Sequence, residues 1–435
     1  MQNIQPDPVA TPIGVATSNA DHLQLALKDI AKAAEEGLLA MAVATGMAVM
    51  HELMEEEVTA LAGPKGAHNP SRVVYRHGHE NGQVTLGARR VRIRRPRIRK
   101  KGGGEERIAA YEQFASRDLL GKGTLSRMLA GISTRRFTDA SEPVGEEVEA
   151  AAVSTSKSAV SREFVARTRD AMRELMHRDL GDVRLAALMI DGLDLRGRTV
   201  VVALGVSTDG VKLPLGLWEG STENATVATA LLTDLTGRGL DPAQGMLFVI
   251  DAGKALKKAI RTVFGETARV QRCIRHKERN VLDHLPEKER PKAKARMRAA
   301  WDLGDADEAL QRLQKLQAEL GFHYPGAAAS LGEGMEETLT VQRLRVTGKL
   351  KATLQSTNPI ESMISVVRTT SRNVKHWQSG DMGLRWTAAG MLEAEKKFRK
   401  VFGYKDLAKF VIAIEHELAG SEPASREEVQ TLVTV

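Results

Sequence analysis

The sequence predicts an α/β fold with a strand-rich central domain and a helix-rich N-terminal region. Three apolar runs, at residues 186–190, 200–206 and 212–218, have the length and composition of consecutive strands. Asp209 and Gly210 lie between the second and third runs, and an Asp-Gly pair is a strong signal for a β-hairpin. We therefore expect three antiparallel strands at the start of this domain.

Two carboxylates stand at the ends of predicted strands. Asp191 directly follows the first run, and Asp251 follows another apolar run at residues 246–250. Each acid precedes small residues, so buried strands would bring both to a sheet edge. A divalent metal site is one interpretation, and ordinary turn chemistry is the alternative.

Composition narrows the class of protein. The chain has 435 residues, of which 42% are hydrophobic and 27% charged, values typical of a soluble globular protein with two to four domains. A net charge of +8 favours a polyanion as the large partner. A single cysteine excludes an internal disulfide and fits a reducing compartment. The N-terminus has no apolar signal segment, so residues 1–20 are interpreted as a flexible leader.

The region 21–117 is predicted to be helical at first and then to form basic strands. An apolar run at residues 38–50 is shorter than the roughly 20 residues of a membrane span, which favours core or dimer packing. Residues 89–101 hold nine basic residues and no acid, and Val91 and Ile93 alternate with arginines there. One face of such a strand can pack while the other contacts phosphate, although a solvated charge run is the alternative. The predicted DNA contacts here are Arg89, Arg90, Arg92, Arg94, Arg95, Arg97 and Arg99.

The region 118–182 resembles a helix-turn-helix DNA-binding unit. Residues 128–137 would supply the first helix and the turn, and residues 154–162 the start of the second helix. Ser154 or Ser156 is the expected cap, with Val160 and Phe164 facing inward. A plain helical bundle is the alternative. The residues left to meet a DNA groove are Lys157, Ser158, Ser161 and Arg162.

Beyond Asp251, the pattern predicts a helix at residues 254–264, a strand at 268–273 and a long all-helical region at 275–350. The α/β domain then resumes with another helix. Thr357 or Asn358 would cap this helix, Pro359 would occupy its first position, and Glu361 would fall in its first turn. Capping chemistry alone also favours an acid at that position.

Four strings together resemble the mutator-type transposases of bacterial insertion sequences. They are LMIDGLDL, FVIDAGKAL, QRCIRHKERNVL and STNPIESMI, which occur in this order between about residues 127 and 404. The resemblance implies a ribonuclease-H-like catalytic domain interrupted by an all-helical insertion. It also implies an Asp, Asp, Glu triad, which by motif is Asp191, Asp251 and Glu361, with Cys273 and His276 as supporting residues. The glutamate motif departs from the family pattern where Val366, Val367 and Arg368 follow.

The function that this resemblance implies is transposition of DNA. The chain would bind the terminal inverted repeats of its own element, cut the ends and join them to target DNA, with Mg²⁺ (or Mn²⁺ as a substitute) held by the triad. We expect a homodimer or higher oligomer in the cytoplasm, associated with the nucleoid, with no membrane or nucleotide cofactor. The alternatives are a structure-specific nuclease of the ribonuclease H type and a non-catalytic DNA-binding regulator. The predicted segments are 1–20, 21–117, 118–182, 183–274, 275–350, 351–405 and a helical tail at 406–435.

Three further residues have two interpretations each. Trp301, within the helical insertion, is a candidate for stacking on an unpaired base near the cleaved end, but a lone tryptophan is more often part of a core. Cys273 and His276 would orient the active site or form a plain buried pair. A zinc site is disfavoured because it needs more ligands than these two.

Overall fold

A computed structural model describes residues 27, 30, 34 and 36–418, except for 68–70, 87, 138, 143, 154–155, 196, 221–224, 252 and 266–267. The chain divides into two compact units, Met1–Arg167 and Thr168–Val435. The predicted leader at residues 1–20 and the end of the predicted tail, residues 419–435, lie outside the described residues. The seven predicted segments are finer than the two units, and their boundaries stay predictions.

The first unit is built on helix α1 (Leu38–Ala62) and a small antiparallel sheet. Its middle strand pairs with each of the other three. Apolar residues of the helix and the sheet form one core. The strands are β1 (Val74–Leu86), β2 (Arg89–Lys100), β3 (Glu105–Glu106) and β4 (Ala152–Val153). The other helices are α2 (Ala109–Ala115), α3 (Arg117–Leu129), α4 (Glu146–Ala150) and α5 (Lys157–Met176), the last of which crosses the division between the units.

Helix α1 is longer than the apolar run predicted at residues 38–50. By length and composition it is the one helix in the described part of the chain that could span a membrane, with a mean hydropathy of 1.3 over its most apolar window. One such helix is weak evidence for a membrane span, because the core helix of a soluble protein passes the same test of length and composition. Met54 and Val58 are fully buried in the core of the unit, and Glu55 pairs with Arg76 at 2.6 Å. The second half of α1 is therefore an ordinary amphipathic core helix.

The second unit contains a five-stranded mixed sheet in the order β7-β6-β5-β8-β9. Strands β5, β6 and β7 are antiparallel neighbours, and β5, β8 and β9 run parallel. The predicted hairpin is confirmed, since Gly210 has φ +88° in the turn between β6 and β7. The strand bounds are β5 (Leu185–Asp194), β6 (Thr199–Ser207), β7 (Lys212–Gly220), β8 (Leu247–Ile250) and β9 (Arg269–Arg272).

Helices cover both faces of this sheet. Successive residues of a strand point to opposite faces, and β5 is buried on both. Ala187 and Met189 belong to one apolar cluster, together with residues of α14 (Asn358–Thr370), α15 (Gly380–Glu395) and α16 (Leu407–Leu418). Leu188 and Ile190 belong to the other cluster, with residues of α6 (Ala225–Gly237) and α7 (Lys254–Phe264).

Between β9 and α14 the described chain is entirely helical, as the sequence predicts. Its helices enclose a third apolar cluster of their own. They are α8 (Ile274–Asp283), α9 (Arg290–Asp302), α10 (Ala306–His323), α11 (Pro325–Gly332), a 3-10 turn (Glu336–Leu339), α12 (Thr340–Arg343) and α13 (Gly348–Leu354).

Trp301 lies at the centre of this third cluster. Only 1% of its surface is exposed, and its Nε1 donates a hydrogen bond to Thr338 Oγ1 at 3.1 Å. The candidate role of Trp301 in stacking on an unpaired base is therefore wrong for this structure, and the core interpretation is confirmed, because the ring is buried in an apolar cluster.

Replacing Trp301 should weaken this helical region. Trp301→Ala should lower the apparent free energy of unfolding of the full-length chain by about 3–5 kcal/mol, measured by urea titration, because it leaves a large cavity and removes the hydrogen bond to the Thr338 hydroxyl. Trp218→Ala is the control, since Trp218 is 37% exposed. Equal losses in the two variants would contradict a core role for Trp301.

Candidate functional site

Two aspartates meet at one edge of the five-stranded sheet. The parallel register of β5 and β8 pairs Ile190 with Ile250, so Asp191 and Asp251 come next on neighbouring strands. Both follow the alternation that sends Met189 and Val249 to the face covered by α14. Strand β5 continues to Asp194, so Asp191 lies within the strand and not at its end as predicted.

The third acid comes from the first turn of α14. Thr357 is the N-cap residue, as the sequence predicts, and Pro359 occupies the second position of the helix and not the first as predicted. The Thr357 hydroxyl does not cap the helix, however; it lies 2.6 Å from Glu361 Oε1 and donates to it. Glu361 is thereby held by both the backbone of its helix and a neighbouring side chain.

His276, in the first turn of α8, connects the acids. Its Nδ1 lies 3.4 Å from Asp251 Oδ1, and its Nε2 lies 3.7 Å from Glu361 Oε1. The imidazole is largely buried, with 14% of its side chain exposed. The three predicted acids and His276 therefore form one cluster.

The charges in this cluster perturb one another. Burial raises the pKa of Asp191 to about 6, and the negative charges of Asp251 and Glu361 act in the same direction, against the Gly192 amide and His276. A hydrogen bond with Cys273 raises the pKa of His276 to about 9, and both neighbouring carboxylates add to this effect. A protonated His276 thus supplies positive charge among carboxylates that repel one another.

Cys273 is buried beside the cluster and contacts Thr357. It is 1% exposed, and its sulfur lies 3.4 Å from the Thr357 amide nitrogen and 3.3 Å from the Thr357 hydroxyl. Burial raises the pKa of the thiol, but hydrogen bonds with His276 and Thr357 outweigh it and leave the pKa lowered. The Cys273 sulfur, a His276 nitrogen and a Glu361 oxygen lie within 4.8 Å of one another, a spacing at which they could share a metal ion. The sulfur is turned toward Thr357, so positioning Thr357 accounts for its contacts.

Sequence reasoning missed two buried cations beside the cluster. Lys277 Nζ donates to the carbonyls of Ser330 and Glu333 at 2.6 Å, and Arg272 also donates to the Glu333 carbonyl at 2.6 Å. Burial lowers the pKa of Lys277 to about 8, and the charge of Arg272 contributes. These bonds tie the end of α11 to the segment that carries Cys273 and His276. The only sequence signal was that both residues lie in the basic QRCIRHK string.

Comparison with known proteins identifies the family of the chain. The family model described as "Transposase, Mutator family" matches residues 16–400. The chain belongs to this transposase family. It is 28% identical over 382 residues to a transposase for insertion sequence element ISRM5 of Rhizobium meliloti (strain 1021). The alignment covers 87% of this chain and 93% of the relative. It is also 30% identical over 262 residues to a transposase for IS6120 of Mycolicibacterium smegmatis, covering 59% and 78%.

Mutator-family transposases act on DNA, so the predicted DNA contacts need surface access. The face of α5 that was predicted to meet a groove is exposed, and Val160 and Phe164 are buried as expected. Ser156 Oγ accepts from the Ala159 amide at 3.4 Å, whereas Ser154 lies outside the described residues. The connection between α3 and α5 includes α4 and β4, which makes it longer than the three or four residues usual in a helix-turn-helix. DNA binding by Lys157, Ser158, Ser161 and Arg162 stays a prediction.

The basic strand β2 is exposed only in part. Its apolar positions Val91 and Ile93 are buried, which confirms the alternation. Arg89 and Arg90, however, are 3% and 7% exposed. They are therefore structural residues and not phosphate contacts as predicted.

Hydrogen bonds explain why these two arginines are buried. Arg89 pairs with Glu149 at 2.9 Å, and Arg90 donates to the Ala115 carbonyl at 2.5 Å. Arg95 and Arg97 are partly neutralised because both pair with Glu80. Among the remaining predicted contacts on the strand, Arg94 is exposed, whereas Arg92 and Arg99 are half-buried.

The reactivity of the single cysteine tests the geometry of the site. In the native full-length protein, Cys273 should react with a thiol reagent at least about 100-fold more slowly than in the denatured chain, because its sulfur is covered. Absorbance after addition of the reagent, with and without urea, measures both rates. Equally fast reactions would show that Cys273 is open to solvent and available as a ligand.

Proposed function

We propose that this member of the Mutator family binds the terminal inverted repeats of its insertion sequence and catalyses metal-dependent strand cleavage and strand transfer. The observation that carries the proposal is the convergence of Asp191, Asp251 and Glu361 at one sheet edge, with His276 between two of them. Three carboxylates with no catalytic task would be an electrostatic cost, because burial and like charges oppose ionisation of Asp191.

The proposed catalytic domain is ribonuclease-H-like and interrupted by an all-helical insertion. Two features support this assignment. The mixed sheet has three antiparallel strands followed by two parallel ones, and a helix on one face delivers the third acid. The helices between β9 and α14 enclose an apolar cluster of their own, as an inserted subdomain would.

The proposed cofactor is Mg²⁺, with Mn²⁺ as a substitute. The three carboxylates fit it, because hard cations of this class take oxygen ligands. Asp191, Asp251 and Glu361 would hold the metal, while the sulfur of Cys273 contacts Thr357. When bound, two such ions stabilise the attacking and leaving oxygens of a phosphodiester displaced in line.

The remaining site residues have positioning roles in this proposal. Thr357 fixes one oxygen of Glu361, and Cys273 in turn holds Thr357. His276 spans Asp251 and Glu361 and reduces the repulsion between them. These contacts hold the carboxylates in place, and such preorganisation limits the rearrangement needed when DNA binds.

Both ends of an insertion sequence must be held together for transfer, so the active species should be a homodimer or a larger oligomer. The exposed apolar residues of α1, including Leu38 at 77% and Val49 at 52%, support this proposal. DNA as the partner also places the proposed site of action in the cytoplasm, with the nucleoid.

Asp191→Asn should abolish cleavage and strand transfer but leave binding of the element's ends intact. Losing a metal ligand should cost well over about 100-fold, the upper range for losing an outer-shell partner. The measurement is joined product on gels, using end-containing DNA with Mg²⁺ or with a chelator, alongside a gel-shift assay.

Asp194→Asn is the matched control, because Asp194 is exposed and, among the described residues, its side chain accepts a bond from the Gly197 amide at 3.2 Å. It should transfer strands as the wild type does. Strand transfer by the Asp191→Asn protein, or undiminished strand transfer in the presence of the chelator, would contradict the proposed metal-dependent chemistry. Cutting of branched DNA without joining would indicate a nuclease instead.

The exposed part of β2 should contribute sequence-independent affinity. Replacing Arg92, Arg94 and Arg99 by Gln should reduce the slope of log affinity against log salt by about 2 to 3, because each phosphate contact contributes about 0.9. Fluorescence anisotropy with duplex DNA at several salt concentrations measures this slope. An unchanged slope would mean that these arginines form a solvated face and do not contact DNA.

A further inference from the structure

A second basic feature of the Thr168–Val435 unit has no role in the proposed chemistry. An open cavity of about 1170 Å³ lies between α13, the start of α14 and the segment that joins α15 to α16. Asn358 and Ser362 of α14 line it, so it adjoins the helical turn that carries Glu361. One turn of helix is only about 5 Å long, so the cavity and the acid cluster are close neighbours.

The cavity is strongly basic. One acidic residue, Asp406, and six basic residues line it. Lys400 pairs with Asp209 at 3.5 Å and Lys397 with Glu393 at 3.4 Å. In the part of the chain that the structure describes, the other four cations have no ion pair. One of them is Lys212, which contacts an aromatic ring, and the other three are Lys349, Arg399 and Lys405.

The acidic residues of the protein compensate only part of the positive charge of this cavity. Lys212, half-buried at the base of the cavity, faces an aromatic ring, with Nζ 4.7 Å from the centroid of Phe398. Several cations around one opening repel one another, and this costs free energy unless an anion enters. A chain of phosphates supplies such an anion at regular spacing.

An exposed aromatic ring stands at the same cavity. Phe402 is 77% exposed, although its neighbour Val401 is buried and accounts for the anchoring of this segment. The Val401 amide donates to the Gly210 carbonyl at 2.9 Å, and Thr353 Oγ1 donates to the Phe402 carbonyl at 3.1 Å. The backbone of Phe402 is therefore fixed while its ring is left uncovered.

Close packing at Gly403 holds the segment further. Gly403 has φ +80°, and a Cβ there would lie 2.3 Å from the Leu350 amide nitrogen. Only glycine allows this approach of the segment to α13. The ring of Phe402 is thus presented by a rigid support and not by a loose loop.

We propose that this cavity binds the unpaired DNA strand beside the bond that is cleaved, with the lysines and arginine contacting its phosphates and Phe402 stacking on a base. The inference rests on the proposed function for the presence of DNA at the acid cluster. A basic groove combined with an exposed aromatic ring is the usual composition of a site for single-stranded nucleic acid. Stacking needs an open base face, which an intact duplex offers only at its ends.

Binding of a fluorescein-labelled single strand of about 20 nucleotides tests this inference. The full-length chain carrying Asp191→Asn is used without Mg²⁺, so that catalysis does not enter the measurement. Phe402→Ala should weaken binding by about 5- to 150-fold, the range for losing one stacked base. Phe402→Trp should bind at least as well as the parent. Phe322→Ala is the matched control, since Phe322 is 83% exposed on α10, and it should change affinity less than about twofold.

Charge is tested separately. Replacing Lys349, Arg399 and Lys405 by Ala should reduce the salt slope for the single strand by about 2, since each contact contributes about 0.7. The control makes the same change of charge at three exposed lysines of the helical region, Lys288, Lys292 and Lys315, and should leave the slope unchanged.

Several results would overturn the inference. One is an equal effect of the cavity variants and their control variants on the affinity for the single strand. Another is full affinity in Phe402→Leu, which would indicate an apolar docking surface for protein. The third is that the cavity variants lose as much affinity for blunt duplex DNA as for the single strand. None of these measurements depends on cleavage. If the cavity variants lose single-strand binding but the Asp191→Asn protein still transfers strands, the proposed catalysis is refuted and the cavity assignment is kept.

Discussion

The parallel pairing of β5 with β8 is the constraint on which the site depends. Asp191 and Asp251 are neighbours because Ile190 pairs with Ile250. Leu188 and Ile190 pack into one apolar layer and Met189 into the other, so a slip of one residue would exchange the layers and turn the acids to the opposite face. The apolar packing that stabilises the sheet therefore also sets the positions of its carboxylates.

The third carboxylate reaches the site through packing of a helix. Ile360 and Ile364 of α14 are buried in the same layer as Met189, which fixes the rotation of the helix and brings Glu361 over the sheet edge. Apolar burial of this kind contributes about 25 cal/mol per Å², and it opposes the repulsion among the acids. The charge of His276 offsets part of that repulsion.

Local patterns in the sequence predicted what depends on local chemistry. The strand runs, the Asp209-Gly210 turn and helix 254–264 follow from periodicity and turn preference, and all are confirmed. The burial of Arg90 could not be predicted, because its partner lies far along the chain and comes near it only after folding. A core position for Trp301 could be predicted from residue type, but not its bond to Thr338. The triad came from a family resemblance, and the structure brings its members together, but periodicity alone could not have joined Glu361 to the aspartates. The link from Cys273 through Thr357 to Glu361 joins residues whose spacing carries no local signal.

The same logic connects the helical region to the acid cluster. Helix α8 packs into the apolar cluster of that region through Val281 and also carries His276 toward the acids. Lys277, one residue later, donates to carbonyls at the end of α11. A buried ammonium that left these carbonyls would lose its hydrogen bonds without gaining water, which is costly. A shift of α11 relative to α8 would therefore break these hydrogen bonds, and the turn of α8 that makes them also carries His276 beside the carboxylates.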